Sequence, residues 1–243
     1  MNKYRNIIIA IILATGFVLG VRMMADKIAQ TRLKNYINVT GNAEKKLISD
    51  IIVWEVRYEI STKDMQEGYK KLSHSRDAVK RYLASKGVSQ EDITIQSVDF
   101  NKLFRSQYEN GNYVQIFDGY NLSQRIRIMS KNVDLIEEVA RNITELIDQG
   151  HLIYSETPRY YYSKLNESKH ELLKVASEDA LGRAKAIAQG SGRKVGKLKS
   201  SQMGVFQIIG LYSAESYNWG GAFNTADKEK NISITVKNCY SLK

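Results

Sequence analysis

The run Ile7 to Val21 (IIIAIILATGFVLGV) is uncharged and mostly apolar, follows Lys3 and Arg5, and contains neither proline nor strand-like alternation. A segment of that kind is an export signal or a membrane helix, and it separates the N-terminus from everything after it. Its 15 residues span about 22 Å at 1.5 Å per residue, against roughly 30 Å of hydrocarbon, and Asn6, Met23, Met24 and a snorkelling Arg22 lengthen it. Cleavage requires small residues at positions −3 and −1, and the best site, after Ala25, puts Met23 at −3. A signal peptide and an uncleaved anchor are both open, and the missing small residue favours the anchor. Counting charges places four Lys/Arg after the segment and two before it, weakly against an N-in orientation. The large C-terminal part favours N-in, C-out, because folded domains cross largely regardless of charge. The expected organisation is therefore residues 1–30 as signal anchor and residues 36–243 as one domain. The expected location is the inner (cytoplasmic) membrane, single-pass, with the C-terminal domain in the periplasm or outside the cell.

The net charge of +10 divides evenly once it is traced along the chain. Residues 1 to 35 carry six Lys/Arg against Asp26 alone, and the remaining 30 basic and 25 acidic residues are interspersed. That distribution lacks the basic stripe of a nucleic-acid binder, so none is expected as a partner. The densest later cluster, Arg193, Lys194, Lys197 and Lys199, reads as a solvated edge around a turn. Cys239 is the single cysteine, which excludes an intramolecular disulfide and a cysteine-based metal site.

No Pro/Gly/Ser-rich linker interrupts the chain beyond the anchor, whose only proline is Pro158; one folded unit is expected. Ile52, Trp54, Val56, Tyr58 and Ile60 alternate with Val53, Glu55, Arg57 and Glu59, a strand with one buried face. A helix from about Asp64 to Lys86 follows, with Met65, Tyr69, Leu72, Val79 and Leu83 on one stripe and Gly87 closing it. Ile93 to Leu103 and Tyr120 to Met129 read as strands around an Asn110-Gly111 turn. Asn132 caps a second helix with Val133, Ile136, Ala140, Ile143 and Ile147 inward and Gly150 at its end. A strand begins near Leu152. The third helix, about Glu167 to Gln189, sets Ala176, Ala180, Ala184 and Ala188 at i, i+4 spacing beside Leu173 and Ile187, so that its axis can approach a sheet closely. Val195 to Met203, Val205 to Leu211 and Ile232 to Val236 are the last strands. The order predicts an α+β fold: a largely antiparallel sheet with helices packed on one face, its β-α-β-β-α-β core followed by a long helix and C-terminal strands, plus the N-terminal transmembrane helix.

Three stretches resemble the SIMPL-domain family, which includes bacterial periplasmic and outer-membrane immunogenic proteins. They are INVTGNAE (Ile37 to Glu44), FDGYNLSQRIRI (Phe117 to Ile128) and ASEDALGRAKAIAQGSGRKVGKL (Ala176 to Leu198). NISITVKNCYSL (Asn231 to Leu242) is similar to the family's final strand. In the first stretch Asn42 or Ala43 stands where the family often has a second glycine. The resemblance implies an exported α+β domain, often oligomeric, with no established catalytic residues to carry over.

The chain itself offers little chemistry. His74, His151 and His170 lie in no metal-ligand spacing, and His74 falls on the solvent side of the first helix. No nucleophile elbow, P-loop or dinucleotide fingerprint is present. The acid pairs Glu137/Glu138 and Glu178/Asp179 sit on polar helix faces, and Tyr160, Tyr161 and Tyr162 alternate between two faces of a strand. No catalytic residue, no cofactor and no metal is expected. Tyr212 to Lys230 is too long for a hairpin turn and carries Tyr212, Tyr217, Trp219 and Phe223, residue types favoured at interface centres. These four are the candidate interface. The expectation is a non-enzymatic, membrane-anchored SIMPL-domain protein of the cell envelope that acts by self-association, as a homo-oligomer, or by binding a protein partner. The alternatives are an accessory or signalling module recruited by another protein, as the family's name-giving association with a kinase suggests, or an enzyme of unrecognised type.

Overall fold

The structure, a computed structural model, describes residues 13–26, 35–109 and 111–243. In chain order the elements are α1 (13–26), β1 (Tyr36–Ile48), β2 (Ile51–Thr62), α2 (Met65–Ser85), β3 (Ile93–Ile95), β4 (Asp99–Glu109), β5 (Asn112–Ser130), α3 (Val133–Asn142), β6 (Ile153–Ser155), β7 (Arg159–Tyr161), α4 (Leu165–Gly190), β8 (Val195–Met203), β9 (Gln207–Gly210) and β10 (Glu229–Leu242). No helix among the described residues is long and apolar enough to cross a membrane. The expected span begins at Ile7, and its residues 7–12 lie outside the described residues. The chain divides into two compact units, one of Ala43–Lys174 and Val205–Ile234, the other of Met1–Asn42, Val175–Gly204 and Thr235–Lys243.

The first unit is built on a six-stranded sheet in the order β3-β5-β2-β6, with β4 also paired to β5 and β7 to β2. Every pairing in it is antiparallel. The alternation in β2 does what its period dictates from Trp54 to Tyr58, while Val53 on the other face is buried as well. Ile52, Trp54, Val56 and Tyr58 are buried against Leu122, Ile126 and Ile128 of β5 and against Leu72, Val79 and Leu83 of α2 and Ile136, Val139 and Ala140 of α3. Removing each such side chain from water contributes about 1.5–3 kcal/mol. Polar atoms carried inward find partners: Trp54 Nε1 donates to Ser155 Oγ at 3.1 Å, and Tyr58 donates to Gln124 Oε1 at 2.7 Å. Burial holds the Tyr58 hydroxyl far above its ordinary pKa. The opposite face of β2 bears Glu55, Arg57 and Glu59, with Arg159 reaching Glu55 at 3.3 Å.

Helix ends follow their chemistry. The Asp64 carboxylate accepts from the N–H groups of Gln66 and Glu67 at the start of α2, and Gly87 takes φ +84° beyond its end, a left-handed turn that glycine adopts freely. Asn132 Oδ1 accepts from Leu135 N–H to cap α3. The inward stripe of α3 ends earlier than its sequence period suggests, because residues Ile143–Leu146 tighten into a 3-10 turn. The tighter winding turns Leu146 inward and leaves Ile147 exposed.

The second unit holds the N-terminal part of β1, the C-terminal part of β10, β8 and most of α4. Val39, Ala180, Ala184 and Tyr240 form its buried cluster, with Ile37, Leu181 and Val195 against it. Ala176, Ala180, Ala184 and Ala188 are all buried, as the spacing predicts. Ile187 is exposed, because the contact row runs along the i, i+4 ridge, oblique to the helix axis, and residue 187 falls off that row near the C-terminus. Asp179 is no mere solvation group: its Oδ2 accepts from Asn42 N–H and from Arg183 Nε, each at 2.8 Å.

Two sheets stand where a single one is expected, the second being β1-β10-β8 with β9 on β10. β1 was not legible as a strand, since its Gly41, Asn38 and Asn42 depress strand propensity and only pairing overrides it. Ile93 to Leu103 is two strands, broken where Gln124 Nε2 bonds the Gln96 carbonyl at 2.7 Å. β5 starts at Asn112 and not near Tyr120.

Candidate functional site

Residues 211–228 connect β9 to β10 without regular structure, and side chains from within the same unit hold them in place. Gln207 Oε1 accepts from Asn218 N–H at 3.1 Å and Ala222 N–H at 2.9 Å, while its Nε2 donates to the Asn218 carbonyl at 2.8 Å. Glu215 accepts from Gly210 N–H at 3.1 Å and from Asn224 Nδ2 at 2.7 Å. Asn224 Nδ2 also donates to Asp227 at 2.8 Å, and Asp227 N–H returns a bond to Asn224 Oδ1 at 2.9 Å. These donors, the Gly210 amide first, hold the Glu215 carboxyl below its usual pKa. Beneath the network, Lys230 is buried and donates to the Tyr160 carbonyl at 2.5 Å. Burial lowers its pKa against the opposing pull of Asp227 and Glu215.

The same connection that is fixed at its base leaves its aromatic side chains in solvent. Trp219 is 100% exposed and Tyr212 90%, and Tyr217 and Phe223 are also exposed. Tyr212 takes φ +61°, a left-handed conformation that is uncommon for a side chain of this size, and Lys46 Nζ lies 5.8 Å from its ring centre. Phe223 approaches Tyr161 at 6.4 Å between centroids, and the Tyr217 hydroxyl lies 3.4 Å from Ser233 Oγ. Among the described residues, Trp219 therefore fills no cleft. A large ring on a pinned backbone loses little conformational entropy on contact, which is what an interface anchor requires.

A family profile described as "SIMPL: Protein of unknown function (DUF541)" matches residues 37–237. The chain belongs to the SIMPL family. That family is of unknown function. No curated protein matches the chain. Among solved structures, a de novo designed protein, Foldit4, is 14% identical over 44% of this chain and 93% of that one, at a TM-score of 0.20, a likeness too small to carry an argument.

In this SIMPL chain, Ser75 and His151 form a pair that sequence spacing did not reveal. Ser75 Oγ and His151 Nδ1 are 2.9 Å apart, both residues are buried, and the His74 ring stands 5.4 Å from that of His151. Residues 76 positions apart leave no local signal. Burial first, then repulsion from His74 and Arg81, lowers the His151 pKa. The pair ties α2 to the chain after α3. His74 and His170 are exposed. No group of three or more His, Cys, Asp or Glu among the described residues could hold a metal ion.

One polar cleft of about 480 Å³ is lined by Glu137, Arg141, Ser155, Glu156 and Tyr160, among others. Glu137 is drawn to Lys228 at 3.5 Å, and burial followed by a hydrogen bond to Glu137 raises the Tyr160 hydroxyl to about 12. The cleft is open; Glu137 and Arg141 lie on α3 and Glu156 lies just beyond β6, 3.9 Å from Arg125. Tyr160 packs against the core while Tyr161 faces Phe223, so the tyrosine run is divided between two faces.

Proposed function

We propose that this protein is a non-enzymatic component of the cell envelope, exported and held in the cytoplasmic membrane by its N-terminal apolar segment, whose SIMPL domain acts by contact with other proteins, including copies of itself. The observation that carries the reading is the fully exposed Trp219 on a connection that hydrogen bonds hold in one conformation. A single exposed hydrophobic side chain is ordinary, but Trp219 shares its connection with exposed Tyr212, Tyr217 and Phe223, and exposed apolar groups gathered in one place mark interaction sites. The apolar run from Ile7 to Val21 supports the anchoring, since its composition suits lipid and not a protein surface.

The test is Trp219→Ala in the full chain extracted into mild detergent. The expected result is a shift to a smaller species by light scattering with detergent mass subtracted, while thermal loss of secondary structure stays nearly where it was. Loss of the fold with assembly unchanged is the opposite result and would reassign Trp219 to the stability of its own domain.

A further inference from the structure

The β4–β5 hairpin outgrows the sheet that carries it. β5 pairs with β2 only from Tyr120 onward and with β3 only at Ile126 to Ile128. Among the described residues, Leu103 to Glu109 and Asn112 to Gly119 pair with each other alone, a two-stranded ribbon about 23 Å long at 3.3 Å per residue. The one irregularity, a bulge at Asp118, lies at its root. There Gly119, at φ +132°, passes so close to the Thr62 carbonyl that a Cβ would stand 2.5 Å from its oxygen. The glycine fixes where the ribbon leaves the body.

One face of the ribbon is an ordered ladder. Phe104 pairs with Phe117, Ser106 with Gln115 and Tyr108 with Tyr113. The Phe rings meet edge-on at 6.1 Å, Gln115 Nε2 donates to Ser106 Oγ at 2.7 Å, and the Tyr rings meet at 5.1 Å. Yet the rings stand in solvent: Tyr113 is 78% exposed and Phe104, Tyr108 and Phe117 are exposed too. An isolated two-stranded ribbon is marginal in water, and a third strand is what stabilises it. The outer edge of β4 offers that place, since β4 pairs with β5 alone among the described residues and carries no proline.

We propose that β4 pairs antiparallel with β4 of a second copy of this chain, about a two-fold axis at Ser106. The inference rests on the self-association reading above and adds a second contact surface to the one at Trp219. A partner on a strand edge must itself supply an extended backbone, and a two-fold antiparallel pair supplies it from the same sequence. Faces match across such an axis only when residues of equal parity oppose each other. Centred on Ser106, Phe104 meets the second copy's Tyr108, so each aromatic row continues unbroken across four strands. Arg105 then lies diagonal to the second copy's Glu109, within reach of a long side chain, and a small residue occupies the axis. Centring on Phe104 instead sets Asp99 against Glu109, like charges face to face. A lipid surface is the less suited occupant, because Arg105 is outnumbered by Glu109 and Asp118 along the ribbon.

The experiment uses the full chain in washed membranes, with Cys239→Ser removing the native thiol. Paired Cα atoms at the axis stand roughly 4.5–5.5 Å apart, within disulfide range. Ser106→Cys should give a dimer band on oxidation with copper phenanthroline, and Tyr113→Cys, on the far strand, should give none. Arg105→Glu or Glu109→Arg in the Ser106→Cys background should each cut the band several-fold, and the two together should restore it. A chain that light scattering shows to be oligomeric, yet that cross-links at Tyr113→Cys or at neither position, overturns the ribbon pairing and leaves self-association standing. A monomeric chain with no cross-link overturns both.

Discussion

Gly41 of β1 lies directly against Ala180 of α4: a Cβ built on Gly41 would stand 2.8 Å from the Ala180 Cβ and 2.5 Å from its nitrogen, and would overlap the Ala176 carbonyl oxygen. Backbone atoms cannot move aside as a flexible side chain does. The alanine stripe and the glycine are thus one device, a helix brought onto a strand at the closest distance side chains allow. The family's second glycine, replaced here at Asn42 or Ala43, is not the one at this contact, and Asn42 instead uses its amide to bind Asp179.

Gly41→Ala is therefore expected to destabilise the fold by about 3 kcal/mol, at the upper end of ordinary overpacking. Gly182→Ala is the matched control. It lies inside α4 with nothing within 4 Å of the added carbon, and should raise stability by about 0.5–1 kcal/mol through helix propensity. Denaturant midpoints of the two variants against the parent check both signs.

His151 gives the fold a dependence on pH. Its folded pKa lies below its ordinary value through burial and the neighbouring His74 and Arg81, so the unfolded chain takes up the proton more readily. The stability this contributes is complete above about pH 6.5 and is lost as pH falls from there toward the folded value. His151→Asn, whose side-chain oxygen can still meet Ser75, should flatten that loss. Melting temperatures at pH 7.5 and 5.5 are the measurement; an unchanged difference between the two pH values in the variant would remove His151 as its source.

Anchoring through Ile7 to Val21 predicts that the protein sediments with membranes and stays there in high salt, because insertion is insensitive to screening whereas surface charge is not. Detergent should release it. Release by salt alone would show that its basic residues, and not the apolar run, hold it.

What the sequence determined by itself is whatever local periodicity encodes. The buried face of β2, the caps at Asp64 and Asn132, the left-handed turn at Gly87, the alanine row of α4 and the extent of β8 all follow from spacing within a few residues, since a 2.0 or 3.6 period decides which side chains share a face. The aromatic residues from Tyr212 to Phe223 were also legible, as large rings in a segment too long for a turn. Tertiary structure alone decided the rest. β1 is a strand because β10 and α4 accept it, Ser75 meets His151 across 76 positions, and Ile147 turns outward because a 3-10 turn replaces the last turn of α3. Ile93 to Leu103 reads as one strand until the Gln124 side chain claims the Gln96 carbonyl. The ribbon of β4 and β5 was the least visible. Alternation at Phe104, Ser106 and Tyr108 was there to be read, but a period says only that a face exists, and whether a domain buries that face or extends it into solvent depends on where the neighbouring strands end.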